Sequence, residues 1–437
     1  MKYFIETWGC QMNDHDSEKL AGVLREEGHE PVDSMDEAEL VLLNTCSIRE
    51  KAVQKVYSEL GRLRQVKQVR PLLVGVAGCM AQQDQDGIFK RAPHTDFVMG
   101  TKATRQLPSL IARALAGERK VIDTADYPDH HLWPAEVMQR RSTAKALVTI
   151  MEGCNHACTY CVVPGTRGPE RSRPFQDIVD EVRLLVDEAG FREIELLGQN
   201  VNSYDGGCTF AELLAKVAAV PDVEWIRFTT SHPMNFTREL ARELATNPKV
   251  APFLHLPIQS GSDRILRRMR RDYTYAEYVE RLGYLGEARP RIALSTDFIV
   301  GFPGETEEDF EASMRALEEM RYDASFSFLY SPRPGTPALR YPESEAVPQE
   351  VASERLARLQ ARQYELTLAS HQAFIGRTLD VRIESREATE SGHWMARTGE
   401  WVNVRLRAGE GRELPFGRLV RARVLQAGPH FLTAELA

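Results

Sequence analysis

Cys154, Cys158 and Cys161 stand within eight residues of one another in the stretch MEGCNHACTYCVVPGTR, Met151 to Arg167, with the spacing C-x3-C-x2-C. Three thiols that close together point to a metal centre. A disulfide framework fails on the odd number, and in a chain without secretory features a cysteine cluster more often binds metal or catalyses. Zinc is the rival, but a structural zinc site takes four ligands, and only His156 in the same loop is at hand to complete the set. An iron-sulfur cube held by three cysteines leaves one iron without a protein ligand, the open position that a catalytic site needs. The spacing favours the open cube, with a cluster that only passes electrons as the alternative.

With Tyr160 just before the last cysteine, this loop resembles the signature of the radical S-adenosylmethionine (radical SAM) enzymes. The resemblance implies a 4Fe-4S cluster whose open iron binds the amino and carboxylate groups of S-adenosylmethionine, with Tyr160 among the cofactor contacts. It further implies reductive cleavage to a 5'-deoxyadenosyl radical that takes hydrogen from an unactivated C–H bond.

Three more cysteines lie in the first part of the chain, where strand and helix patterns alternate. Strands are expected at Tyr3 to Thr7, Leu40 to Leu43 and Leu72 to Ala77. A helix capped by Asn13 or Asp14 carries Leu20, Val23 and Leu24, and a capping box of Ser47 with Glu50 opens a second. Cys10, Cys46 and Cys79 each fall just past the carboxyl end of one of these strands. In a doubly wound parallel sheet those ends lie side by side, so the three thiols converge despite their separation in sequence. The alternative, that they are small buried hydrophobes, is disfavoured by the polar or glycine-containing turns they occupy.

After a polar linker at 118–143, containing His130-His131, a second βα series begins. Strands are expected at Ala146 to Ile150, Glu193 to Leu197, Trp225 to Thr229, Phe253 to Leu256, Ile292 to Ile299 and Ser325 to Tyr330, with helices between. Six such units suit a partial parallel barrel, and active-site groups then belong just after the strands. Gln199, Asn200, Ser231, Gln259 and Asp297 sit there and are the candidate S-adenosylmethionine contacts; His232 and His255 are left without a role. Five arginines in Asp263 to Asp272 read as a solvated helix face or a phosphate contact.

A charged helix, Gln349 to Ser370, leads to a tail of five short alternating strands, expected to close a small OB-like barrel of a class that binds oligonucleotides. The tail holds ten arginines and no lysine against eight acidic residues. Arginine suits bidentate phosphate recognition, and Trp394, Trp401 or Phe416 are positioned by sequence either to stack bases or to fill the core.

Composition sets the bounds. A hydrophobic share of 43% and a charged share of 27% in 437 residues are those of a globular protein of several domains. A net charge of -8 argues against coating nucleic acid along the whole length. The amino-terminal MKYFIETWGCQMN has no apolar core of a signal peptide and no stretch is long enough for a membrane span, so a cytoplasmic location without membrane contact is expected.

Taken together, TWGCQMN at Cys10, NTCSIREKA at Cys46, AGCMAQ at Cys79 and GCNHACTYCVVPGTRG resemble the methylthiotransferase family of radical SAM enzymes along essentially the whole chain. The resemblance implies an α/β methylthiotransferase domain at 1–117, the linker, a radical SAM core at 144–372 with a (β/α)6 barrel, and a TRAM domain at 373–437. It implies two 4Fe-4S clusters, an auxiliary one on Cys10, Cys46 and Cys79 and the radical SAM one on Cys154, Cys158 and Cys161. Cys208 matches no motif. The CSIREKA wording is nearest to the branch that acts on tRNA, which implies methylthiolation at carbon 2 of an N6-isopentenyl (dimethylallyl) adenosine beside the anticodon. Two S-adenosylmethionine molecules, an external electron donor and a monomer binding the anticodon stem-loop complete the expectation. The alternatives are siblings acting on a ribosomal-protein aspartate or a threonylcarbamoyl adenosine, and a non-enzymatic iron-sulfur RNA-binding redox sensor.

Overall fold

The computed structural model describes residues 1–437 except 48–49, 129–131, 134–137, 141–143, 230, 287–291 and 410. The His130-His131 pair and the far end of the helical stretch expected to reach Glu287 therefore lie outside the described residues, as does the Glu50 side chain of the expected capping box.

In the first part, β1 (Lys2–Trp8), α1 (Gln11–Glu26), β2 (Glu30–Pro31), β3 (Leu40–Thr45), α2 (Glu50–Val69), β4 (Leu73–Gly78), α3 (Cys79–Asp84), α4 (Asp86–Arg91), β5 (Phe97–Met99), α5 (Leu107–Leu115) and β6 (Val121–Asp123) form one sheet in the order β2-β1-β3-β4-β5-β6. Every pairing is parallel. Strand β3 is an unbroken buried run, as a strand covered on both faces must be. Alternate residues serve opposite cores: Leu40 and Leu42 meet Leu24 and Leu110, while Val41 and Leu43 meet Val56 and Leu60. The chain leaves β1 toward β2 on one side and returns to β3 on the other, so the order reverses between β1 and β3. That is where a doubly wound sheet opens a crevice outside its strand carboxyl ends.

The core comprises β7 (Ala146–Thr149), β8 (Met151–Glu152), α6 (Val163–Arg167), β9 (Arg171–Ser172), α7 (Phe175–Asp187), β10 (Glu193–Leu197), α8 (Phe210–Ala218), β11 (Trp225–Phe228), α9 (Arg238–Thr246), β12 (Phe253–His255), α10 (Asp263–Met269), α11 (Tyr275–Leu282), β13 (Ala293–Val300), α12 (Glu307–Met320) and β14 (Ala324–Leu329). Its six principal strands run β7-β10-β11 and β12-β13-β14, all parallel, with a bridge from Ile226 to Val250 between the halves. No pairing joins β7 to β14 among the described residues, so the barrel is partial and open along one side. Helices α7 to α12 cover its outside, packing Ile178, Leu213, Leu240, Leu266 and Phe310 onto Val148, Leu196, Phe298 and Val300.

Helix α13 (Gln349–Gln372) then leads to β15 (Thr378–Ile383), β16 (Trp394–Thr398), β17 (Asn403–Arg407), β18 (Leu419–Ala427) and β19 (Leu432–Leu436), which close into a small barrel in the order β15-β16-β17-β19-β18. This barrel docks on the amino-terminal ends of the core strands. Glu193 accepts from Arg227 at 2.7 Å and from Arg382 at 2.9 Å, and Arg227 also donates to the Thr398 and Gly399 carbonyls. All three side chains are fully buried. Of the two roles open to Trp394 and Trp401, base stacking or core, the structure selects packing. Trp394 is buried in the tail's own core, and Trp401 stacks on Phe253 with ring centroids 5.4 Å apart.

Candidate functional site

The registers of the first sheet bring its three cysteines together. Trp8 lies opposite Thr45 and Thr45 opposite Gly78, so β1, β3 and β4 end level and the next turns carry Cys10, Cys46 and Cys79. A buried amide locks these turns: Asn44 donates from Nδ2 to the Asn13 carbonyl and to Ser17 Oγ, both at 2.8 Å. Gly78, at φ +91°, turns the chain into α3, and a Cβ there would stand 2.3 Å from Asn44 Oδ1. Any larger residue would push Cys79 out of place.

The thiols sense one another. A hydrogen bond with Cys46 holds Cys10 down to about 6 against burial, helped by the charge of Arg167. Burial raises Cys79, with Arg167 again opposing. Arg167 comes from the other half of the molecule, six residues beyond Cys161. It donates to Asp16 at 2.6 Å, lies 3.7 Å from Glu152, and leaves its buried Nη1 without a hydrogen-bond partner.

The second trio lies in the loop after β8. Gly153, at φ +83°, folds this loop so tightly against Pro169 that a Cβ would stand 2.0 Å from its carbonyl oxygen. Burial pushes Cys154 up to about 11 and Cys161 up to about 12, and each feels the charge of Cys158. Such thiols become thiolates only when a strong cation takes the protons' place, which suits metal ligands. His156 Nε2 donates to Asn235 Oδ1 at 2.9 Å and its ring stacks on His232 at 3.6 Å, an engagement that does not suit a fourth zinc ligand. Among the described residues no three His, Cys, Asp or Glu side chains converge as a site for a single metal ion. A cube gripped at its corners needs no such convergence.

Both trios border one mouth. Cys10 packs with Met12 on Leu147 and Leu197, at β7 and β10 of the barrel. Gln11, its neighbour, donates to Glu195 at 2.5 Å, and Thr149 pairs with His15 Nδ1 at 2.9 Å. The first domain thus caps the carboxyl ends of the barrel strands through α1.

The residues expected after those strands fall into two groups. Asn200, Ser231 and His232 lie past β10 and β11, and each has a buried polar atom without a partner: Asn200 Oδ1, Ser231 Oγ and His232 Nε2. Buried polar atoms are almost always satisfied, so three together mark a place prepared for a polar ligand. Gln199 is already engaged, accepting from the Gly153 amide at 2.5 Å. Gln259 and Asp297 are on the far wall, where the Gln259 amide donates to the Asp297 carbonyl at 2.8 Å. Tyr160 packs against the small core that includes Ile265, Met269 and Phe302, and Arg271 donates to its hydroxyl at 3.4 Å. Of the arginine-rich segment, Arg264 pairs with Asp309, Arg268 with Glu345, and Arg271 is buried at the cysteines. Sequence reasoning passed over Arg167, Arg271 and Gln11, because nothing local marks a side chain whose partner is contributed by another domain.

Comparison with known proteins agrees with this layout. Residues 2–100 match the model of the family described as uncharacterized protein family UPF0004, and residues 148–317 that of the radical SAM superfamily. A tRNA-2-methylthio-N(6)-dimethylallyladenosine synthase of Anaeromyxobacter sp. (strain Fw109-5) is 48% identical over 100% of this chain and 95% of its own. One from Ralstonia pickettii (strain 12J) is 46% identical over 100% and 98%. In fold, the chain is similar to the radical S-adenosylmethionine methyltransferase TsrM of Kitasatospora setae, with a TM-score of 0.58 at 16% identity over 77% of this chain and 74% of that one.

Proposed function

This chain belongs to the family of tRNA-2-methylthio-N(6)-dimethylallyladenosine synthases within the radical SAM enzymes, and on that premise we propose how its residues divide the work. The reaction is the addition of a methylthio group to carbon 2 of an N6-dimethylallyl adenosine beside the anticodon of a tRNA. Cys154, Cys158 and Cys161 hold the radical SAM 4Fe-4S cluster. Cys10, Cys46 and Cys79 hold a second, auxiliary one.

When bound, the barrel cluster supplies the electron that cleaves S-adenosylmethionine, and the auxiliary cluster supplies a site for the sulfur. An aromatic C–H is neither acidic nor displaceable, so acid-base and nucleophilic catalysis by side chains cannot open it. The protein's own part is to bind, orient and exclude water. Asn200, Ser231 and His232 offer their unpartnered atoms to the polar groups of S-adenosylmethionine. Burial, with the charges of Arg271 and His156 close by, holds His232 neutral; its Nδ1 accepts from the Met234 amide at 3.3 Å, so its Nε2 carries the proton and is left to donate a hydrogen bond. Arg167 sets a fixed positive charge beside Cys79 and Cys10, offsetting thiolate charge in a buried site. Capping by α1 screens the mouth from water on that side, and the nucleotide enters by the open side of the barrel, flipped out of its loop. The tail barrel carries Arg405, Arg407, Arg421 and Arg423 exposed on its strands, where they suit contacts to the RNA backbone.

The observation that carries this reading is that two cysteine trios border one barrel mouth, with Arg167, six residues past the second trio, carrying its charge to the first. The test is anaerobic reconstitution followed by incubation with S-adenosylmethionine, a reductant and a stem-loop RNA bearing dimethylallyl adenosine. Mass spectrometry of the nucleosides is expected to show the 2-methylthio product together with 5'-deoxyadenosine. Full iron loading with radical formation but no thiolated adenosine would overturn it.

A further inference from the structure

Strand β14 is the edge of the barrel's second half, and it places two large aromatic rings in the open. Phe326 is 55% exposed and Phe328 52%. Side chains two apart on a strand share a face. The opposite face of the neighbouring β13 carries Phe298 and Val300 into the core beneath the helices, whereas Asp297 and Ile299, which pair in register with Phe326 and Phe328, are on the barrel's inner face. The two phenylalanines therefore line the lumen and not the outside. His255 confirms the direction: its ring meets Phe326 edge-on with centroids 6.0 Å apart, and its Nε2 lies 3.5 Å from Asp297 Oδ2. At the far end, Ile299 and Tyr160 of the cysteine loop pack against the same small core of Ile265, Met269 and Phe302, which ties this wall to the loop of the radical SAM trio.

Exposed aromatic side chains on an edge strand are an aggregation hazard that proteins ordinarily suppress, and a paired patch of them marks a binding surface. An apolar wall beside a single His-Asp pair suits a neutral ligand with a polar edge and repels a phosphate. Resting on the functional reading above, we propose that Phe326 and Phe328 form the wall on which the substrate adenine and its branched five-carbon N6 substituent pack, making this strand the element that selects dimethylallyl adenosine over unmodified adenosine. Successive same-face positions on a strand stand about 7 Å apart, which matches the span of a purine ring with its short branched chain. The Asp297 carboxylate and His255 ring edge supply the polar partners beside that wall.

The test compares two stem-loop RNAs, identical except for the dimethylallyl group, on the cluster-loaded full chain. Dissociation constants and KM are measured for the unaltered protein and for Phe326→Ser, Phe328→Ser and Phe326→Leu. The unaltered protein is expected to prefer the dimethylallyl RNA. Each serine variant should shrink that preference by roughly tenfold or more, the scale on which an apolar pocket discriminates, through KM more than kcat. Phe326→Leu should restore most of it, because leucine replaces the apolar surface and serine does not. A preference that survives both serine substitutions overturns the wall alone. Equal binding of the two RNAs by the unaltered protein overturns the functional reading and the wall with it.

Discussion

Arg271 donates from Nη1 to Cys158 Sγ across 3.4 Å, from a position 113 residues further along the chain. The guanidinium is held from behind by the Pro257 carbonyl at 2.9 Å and the Tyr273 hydroxyl at 3.0 Å, and it is buried. A fixed cation that hydrogen-bonds a cluster thiolate stabilises the extra electron of the reduced state. Arg271→Gln is expected to load iron but to lower the midpoint potential of the barrel cluster in an electron-paramagnetic-resonance titration. Loss of about 1.5 kcal/mol of charged hydrogen bonding makes the reduced state harder to reach, so at a fixed, limiting reductant potential roughly tenfold less reduced cluster is available for S-adenosylmethionine cleavage. Arg271→Lys should recover part of the potential, and an unchanged potential in Arg271→Gln would remove this role.

The two trios should be separable. Cys158→Ala is expected to abolish formation of 5'-deoxyadenosine and to lower bound iron by about half, one cluster of two. Cys46→Ala should also lose about half the iron, yet keep cleavage and lose only thiolation. Iron and sulfide analysis with product quantification decides it: loss of both activities in each folded variant would argue against distinct roles.

Glu193 is the hinge of the docking between core and tail, since Arg227 and Arg382 each give it a hydrogen bond in a site without water access. Removing one partner from a buried ionic group strands the others, at a cost of about 3–5 kcal/mol. Glu193→Gln is therefore expected to lower the thermal midpoint and to expose the 373–437 barrel to proteolysis before the core unfolds. A single cooperative transition at the original temperature would show that the triad does not hold the domains together.

The parts of this architecture legible in the sequence are those fixed by local pattern. The apolar run Leu40 to Leu43 could only be a strand covered on both faces, and the level ends of β1, β3 and β4 followed from the turns after them. The α/β sheet, the six-stranded partial barrel and the five-stranded tail all carried their periodicities openly. What was hidden depended on long-range geometry. Trp401 in a short strand-to-strand turn reads equally as a surface for bases or as packing, and only the docking against Phe253 decides it. Arg271 sits among five arginines of identical local character, yet it alone turns inward to the cysteines, because Pro257 and Tyr273 wait there to receive it.

His15 makes the capping of the barrel sensitive to acid. It is buried between α1 and β7, bonded to Thr149, and its pKa is driven well below the ordinary histidine value, first by burial and then by Lys19, Arg140 and Arg173, against the pull of Glu152. A histidine kept neutral in the folded state and free to protonate in the unfolded one contributes stability above the unfolded pKa of about 6.5 that is lost as the pH falls below it. The protein is thus expected to lose stability on acidification from about pH 7 to pH 5, at up to 1.4 kcal/mol per pH unit for this one group. The measurement is chemical denaturation at several pH values beside His15→Gln, which keeps a hydrogen-bonding partner for Thr149 but cannot titrate. The variant's stability should depend less on pH across that window, and parallel curves for the two proteins would exclude His15 as the sensor.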